Sequence, residues 1–171
     1  MAKKEIVTYP NPILKKKSKP VTVFDSELKR LVDDMAETMF AVPGSGLAAV
    51  QIGALLQVFL MNLSENENEN KYLALINPEI LEKQGTQSDK EGCLSVPDYF
   101  TKVKRAQKVK VQGLDINGNE HKYEFEDWLA RVVQHEVDHL NGILILDRIS
   151  SLKRALYKKR RKKQLRKEKS E

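Results

Sequence analysis

Between Trp128 and Asn141 the chain carries a helical pattern whose apolar side holds ionisable groups, and this constrains the fold more than any other segment. Projected at about 100° per residue, Trp128, Val132, His135 and His139 fall within about 60° of one another. Leu129, Val133, Glu136 and Leu140 form the adjoining sector, and Ala130, Gln134, Val137, Asp138 and Asn141 take the remaining side. Two imidazoles and a carboxylate on the inward half of a helix must be satisfied by hydrogen bonds or by a bound ion, because buried polar groups without partners are costly. The rest of the chain therefore has to build a core around a polar centre.

His135-Glu136-Val137-Asp138-His139 is an H-E-x-x-H pattern. Residues at i and i+4 are one turn apart, so both imidazoles can reach one metal ion, and the glutamate between them can handle the proton of an attacking water. A catalytic metal needs a third protein ligand and an open position. Metzincins place that ligand six residues after the second histidine, where this chain has Ile145. His121, the only other histidine, lies in a charged strand and is expected to face solvent. Cys93, the single cysteine, completes a thiolate and two-imidazole set suited to zinc or ferrous iron; an inert buried thiol and a Cys–His nucleophile are the other readings. A lone cysteine also excludes an internal disulfide and fits a reducing compartment, so a cytoplasmic location is expected.

The surrounding pattern fits one domain of α+β class. With 171 residues, 40% of them hydrophobic, the chain can bury a sizeable core without cross-links. No run approaches the length of a membrane span, and the polar start at Lys3-Lys4-Glu5 shows no signal or transit pattern. Residues 1–24, with Pro10, Pro12 and Pro20, read as an extended arm. A first helix starts at Asp25 or Ser26, carries a stripe of Leu28, Leu31, Val32, Met35 and Met39, and stops before Pro43-Gly44. Strands are expected at 58–61 and 72–76, the second stopped by Asn77-Pro78, with the acidic run 64–70 as the loop between them. Val109 and Val111, a turn at Asn117-Gly118, and Tyr123 and Phe125 mark a hairpin. The expected architecture is antiparallel sheets packed around the central histidine-bearing helix, with an N-terminal and a basic C-terminal helix.

The net charge of +6 divides unevenly. Residues 153–171 carry 11 Lys/Arg against 2 Glu, and the remaining 152 residues carry 19 against 22 Asp/Glu. That excludes a nucleic-acid binder basic over its whole surface and leaves a slightly acidic body, 1–150, with a basic helical extension, 151–171. Ser151 or the residue before it caps that helix, and beyond Lys158 the sequence reads as too charged to pack. Either the extension is a solvated, fraying helix or it contacts RNA phosphates.

One segment stays ambiguous by itself. Gly44 to Gly53 is small and apolar around Gln51, which suits either a phosphate loop, though without its Gly-Lys-Ser/Thr ending, or a site wall with Gln51 as an oxyanion donor. Taken together, G-x-G-L-A-A-x-Q at Gly44–Gln51, E-G-C-L-S at Glu91–Ser95 and Q-H-E-x-D-H-L at Gln134–Leu140 resemble, in order and spacing, the three motifs of the peptide deformylases. Tyr9-Pro10-Asn11-Pro12-Ile13-Leu14 and Asn77-Pro78 are similar to that family's arm and middle hairpin.

The resemblance implies a hydrolase that removes the N-formyl group from the initiator methionine of nascent polypeptides and releases formate. It implies that Cys93, His135 and His139 hold Fe(II), with Zn(II), Ni(II) or Co(II) as substitutes, and that Glu136 moves the protons. Gln51 and the Leu94 backbone N–H are implied to stabilise the oxyanion. Ser45, Gly46 and Gly92 are implied to pair with the peptide as an added strand. Arg105 either contacts substrate or holds Glu91 in place, and Trp128, Leu129 and Val132 are expected to form the methionine pocket. Trp128 and Ser45 depart from the aliphatic residues usual there. Ribosome contact through the basic extension follows from the same resemblance. The competing readings are another H-E-x-x-H metallopeptidase, for which Asp147 would have to supply a ligand, and a nucleic-acid module with a structural metal, which three ligands would leave incomplete.

Overall fold

The computed structural model describes residues 2–170. The chain forms α1 (Ser26–Phe40), β1 (Gly46–Ala48), β2 (Val58–Asn62), β3 (Tyr72–Gln84), β4 (Gln87–Cys93), β5 (Val96–Arg105), β6 (Lys108–Leu114), β7 (Glu120–Glu126), α2 (Asp127–Leu140) and α3 (Ser151–Lys169). One antiparallel sheet runs in the order β1-β2-β3-β6-β7, and β4-β5 form a separate two-stranded sheet. Helices and antiparallel sheets thus combine in the expected α+β arrangement.

The period-2 alternation of β2 explains the layering. Val58 and Leu60 face one side and join Leu28, Val32, Met35 and Met39 of α1 in one cluster. Phe59 and Met61 face the other and join Ala130, Val132, Val133 and Leu140 of α2 in a second. The large sheet is therefore clamped between α1 and α2. Asp25 caps α1 by accepting the Leu28 N–H at 3.0 Å. A third cluster of Leu14, Val96, Val103, Leu144 and Tyr157 joins β5, the arm and α3. The arm is held to both halves of the site: the Val7 N–H donates to the Gln51 carbonyl and the Tyr9 N–H to the Ser95 carbonyl, each at 2.7 Å.

Three expectations need correcting. The strand from Tyr72 does not stop at Asn77-Pro78 but runs on to Gln84, because the ladder with β6 shifts register between Ile76 and Glu79 and so leaves proline no hydrogen bond to make. Asn77, at φ 51°, exchanges two hydrogen bonds with the Val21 backbone, at 2.8 and 2.9 Å, and so holds that irregularity in place. The supposedly outer side of the histidine helix is buried as well, with Gln134 and Asp138 at 5% and 8% exposure, so α2 runs through the interior. Finally, α3, capped by Ser150 as one of the two expected positions, stays docked past Lys158: Arg161 is buried, its Nε donating to the Tyr9 carbonyl at 2.9 Å.

Candidate metal centre and substrate cavity

Two elements bring the polar centre together. α2 presents His135, Glu136 and His139, and the end of β4 presents Cys93 beside them. Among the described residues, the group able to hold a metal is Cys93, His135 and His139, whose ligand atoms all lie within 4.8 Å of one another. The Cys93 Sγ is 3.3 Å from His139 Nε2. Burial pushes the Cys93 thiol up, but His139 and His135 beside it outweigh that and hold it well below its ordinary value. A thiolate and two imidazoles converging on one point are a set of donors that fits a divalent ion with one position left open.

Around this group stands a buried charge network, of which the Arg105–Glu91 pair is one of the two readings of Arg105 and the links to His135, Arg131 and Asp138 are new. Glu91, two residues before Cys93 and so on the same face of β4, receives four donors. Its Oε1 accepts from Arg105 Nη2 and His135 Nδ1, each at 2.9 Å. Its Oε2 accepts from Arg105 Nε at 2.9 Å and from Arg131 Nη1. The bond to Nδ1 turns the other ring nitrogen of His135 toward the metal group and fixes its tautomer. Burial raises the Glu91 carboxyl, and Arg105 and His135 more than compensate, lowering it from 4.5 to about 2. Asp138 continues the network, accepting from Arg105 Nη1 at 2.6 Å and Arg148 Nη2 at 2.7 Å. Arg131 is the residue that sequence reading does not single out; its signal is a cation inside an otherwise apolar stretch of helix.

Glu136 lies one step round α2, is 3% exposed, and its Oε2 has no hydrogen-bond partner. Burial raises its carboxyl, against the lowering influence of both histidines. β1 passes directly over it: a Cβ added at Gly46 would stand 2.9 Å from Glu136 Oε1. Gln51 is fixed from both ends, its Oε1 accepting the Ala48 N–H at 3.0 Å and its Nε2 donating to Ser95 Oγ at 3.1 Å. The same Nε2 is 3.8 Å from Cys93 Sγ, so an amide donor faces the metal group.

A cavity of about 510 Å³ opens over these groups. Of the sequence-derived candidates, Ser45, Gly46, Gly92, Leu94, Trp128 and Val132 line it, together with Gln51, Cys93, His135 and Glu136. Gly46 belongs to the edge strand of the large sheet and Gly92 to β4, so the cavity lies between two strands each able to accept an added one. Two candidates lie elsewhere. Leu129 packs into the α2 core cluster, because it sits in the helical sector turned toward the large sheet. Arg105, 6% exposed, has Nε, Nη1 and Nη2 all bonded to Glu91 and Asp138, which leaves it to orient Glu91 rather than to meet substrate. Trp128 lines the cavity while 53% exposed, so it forms the rim rather than the floor. Asp147 is turned away, paired with Lys15 and accepting the Leu144 N–H at 2.9 Å, and His121 faces solvent beside Asp115, 2.7 Å away.

Comparison with known proteins finds relatives over nearly the whole chain. Residues 3–155 match the family model described as polypeptide deformylase. The peptide deformylase of Desulfotalea psychrophila is 52% identical over 164 residues, covering 95% of this chain and 97% of that one. The crystal structure of a peptide deformylase from Legionella pneumophila matches with a TM-score of 0.90 at 38% identity, covering 99% of each chain. That of the Ehrlichia chaffeensis enzyme in complex with actinonin matches with a TM-score of 0.88 at 43% identity, covering 96% of this chain and 98% of that one.

Proposed function

This chain belongs to the peptide deformylase family, and we propose that its α2–β4 centre carries out the family's reaction with the residues assembled there. The enzyme removes the N-formyl group of formyl-methionyl nascent polypeptides and releases formate. Cys93, His135 and His139 would hold the metal, and the observation that carries the reading is their convergence beside a buried glutamate with a free oxygen. The metal, when bound, supplies a Lewis acid that polarises the formyl oxygen and lowers the pKa of a water. Glu136 takes the proton from the attacking water at Oε2, which has no other hydrogen-bond partner, and delivers it to the departing amine. Gln51 Nε2 and the Leu94 N–H donate to the developing oxyanion. Gly46 and Gly92 pair with the peptide backbone, Ser45 lies beside them on the wall, and Val132 and the Trp128 rim receive the methionine side chain.

Fe(II) is the proposed native metal, with Zn(II), Ni(II) and Co(II) as substitutes, since a thiolate with two imidazoles suits ferrous iron and zinc alike. Among the described residues no helix is long and apolar enough to cross a membrane. An unpaired Cys93 fits the cytoplasm, where nascent chains are made. The division proposed is a catalytic body over 1–150 and a basic helical extension over 151–171. The many exposed lysines and arginines of the extension support contact with ribosomal RNA.

Anaerobic purification with metal analysis, run beside formate release from a formyl-Met peptide, tests the reading. One equivalent of iron, activity lost on exposure to air, and no cleavage of internal peptide bonds are expected. Absence of formate release from the metal-loaded protein would overturn the function, a metal other than iron in the anaerobically purified protein would overturn the metal assignment, and air-stable activity with iron bound would overturn the expected oxygen sensitivity.

A further inference from the structure

We propose that Tyr157 and Arg160 of α3 are positioning residues for the substrate cavity, holding its Pro97–Tyr99 wall where the bound peptide needs it. The proposal rests on the reading that this cavity binds the formyl-methionyl peptide.

The wall follows closely on a metal-group residue. β4 ends at Cys93, the chain turns through Leu94 and Ser95, and Cys93 pairs with Val96 to close the turn. The next pair in the ladder is Gly92 with Phe100, so Pro97, Asp98 and Tyr99 bulge out of the hairpin without partners on β4. All three line the cavity. Asp98 has φ 57°, a left-handed conformation that side chains other than glycine disfavour. Such a segment has no ladder of its own to keep its shape.

α3 supplies a separate contact for each of the three. Tyr157, 2% exposed, donates its hydroxyl to the Pro97 carbonyl at 3.2 Å. Arg160 Nη2 donates to the carbonyl of the left-handed Asp98 at 2.6 Å. The Tyr99 ring packs on the Tyr157 ring with centroids 5.0 Å apart. The Arg160 guanidinium covers both rings, 5.6 Å from the Tyr99 centroid and 5.4 Å from that of Tyr157. Arg161 ties the same helix to the arm through the Tyr9 carbonyl, and the Tyr9 N–H in turn bonds to the Ser95 carbonyl. No hydrogen bond or ion pair joins His135, Glu136 or Glu91 to these α3 residues, and Cys93 meets α3 only as a neighbour of the apolar cluster that includes Tyr157. Loosening the clamp should therefore widen the wall and leave the chemistry in place.

The test uses the full-length, metal-loaded enzyme with a formyl-Met tripeptide. Arg160→Ala, a change at an exposed position, should raise KM roughly three- to tenfold, the cost of ordering a loosened wall when peptide binds, with kcat within about twofold. Metal content should stay at the wild-type value, and the thermal midpoint should fall by no more than about 2–6 °C, since the lost contacts are made within the fold. Arg160→Lys should recover part of the loss, because it keeps a cation over the rings but not the planar fork. Tyr157→Phe, which keeps the ring and removes the hydroxyl, should raise KM by a smaller factor. Unchanged KM in both Arg160→Ala and Tyr157→Phe would overturn the proposal. So would a fall in kcat and metal content in step with stability, which would make α3 a general brace. Wild-type protein that releases no formate would instead remove the function reading, and the positioning role with it.

Discussion

The network around Glu91 makes a quantitative prediction. In Glu91→Gln the side chain keeps its shape but has one acceptor oxygen in place of two, while four donors remain: two from Arg105 and one each from Arg131 and His135. Two of them must face an amide NH2. Arg105, 3% exposed, would keep only Asp138, which is already shared with Arg148, and Arg131, 2% exposed, would keep no ion-pair partner among the described residues. Removing one partner of a buried ion pair costs about 3–5 kcal/mol, a large share of the ~5–15 kcal/mol that holds a domain folded. With a urea slope near 2 kcal/mol per M, the unfolding midpoint should fall by roughly 1.5–2.5 M. The measurement belongs in chelator, so that metal binding does not add to the native state's stability. A second readout is metal affinity, expected to weaken about 10- to 100-fold as His135 loses the carboxylate on Nδ1. A midpoint shift under about 0.5 M, with metal affinity unchanged, would refute the reasoning: Glu91 would then be neither the counter-charge of the arginines nor the orienter of His135.

Two further outcomes follow from the same geometry. Because the folded Glu91 carboxyl lies near 2, below its ordinary 4.5, its stabilisation is complete above pH 4.5 and is lost as pH falls toward 2. Acid unfolding followed by circular dichroism should show a loss on the order of 3 kcal/mol across that window in the wild type, and one proton less of dependence in Glu91→Gln. Gly46→Ala would put a methyl 2.9 Å from Glu136 Oε1 and 3.0 Å from the Leu60 carbonyl, so either β1 or the glutamate must move. Formate release should drop by at least tenfold while metal content, read by elemental analysis, stays near one equivalent.

Much of the centre was legible because it is local. The i, i+4 histidines and the glutamate between them sit on one helix, so periodicity alone places them together. The Val109/Val111 and Tyr123/Phe125 hairpin was legible for the same reason, its partners being set by one turn. Glu91 was half legible: alternation puts it on the same strand face as Cys93, but nothing local says that Arg105, Arg131 and His135 converge there from 14, 40 and 44 residues away. Without that convergence the two readings of Arg105, a substrate contact or a partner that holds Glu91, cannot be told apart. The strand past Asn77-Pro78 was hidden because proline reads as a stop unless a register shift absorbs it, and that shift depends on β6. α3 misled by composition. Its charge suggested a solvated helix past Lys158, yet guanidinium groups can pack on rings and bond carbonyls while the neighbouring lysines stay in water.

The direct test of the chemistry is formate release by Glu136→Ala against wild type, each with its metal content measured in the same sample. Glu136 makes no hydrogen bond through Oε2 and is not one of the three metal-group residues, so the variant should fold and keep about one equivalent of metal. Its kcat should fall by about two to four orders of magnitude, the usual worth of a positioned acid–base group. A fully metallated Glu136→Ala that releases formate within tenfold of wild type would contradict the assignment of proton transfer to this glutamate.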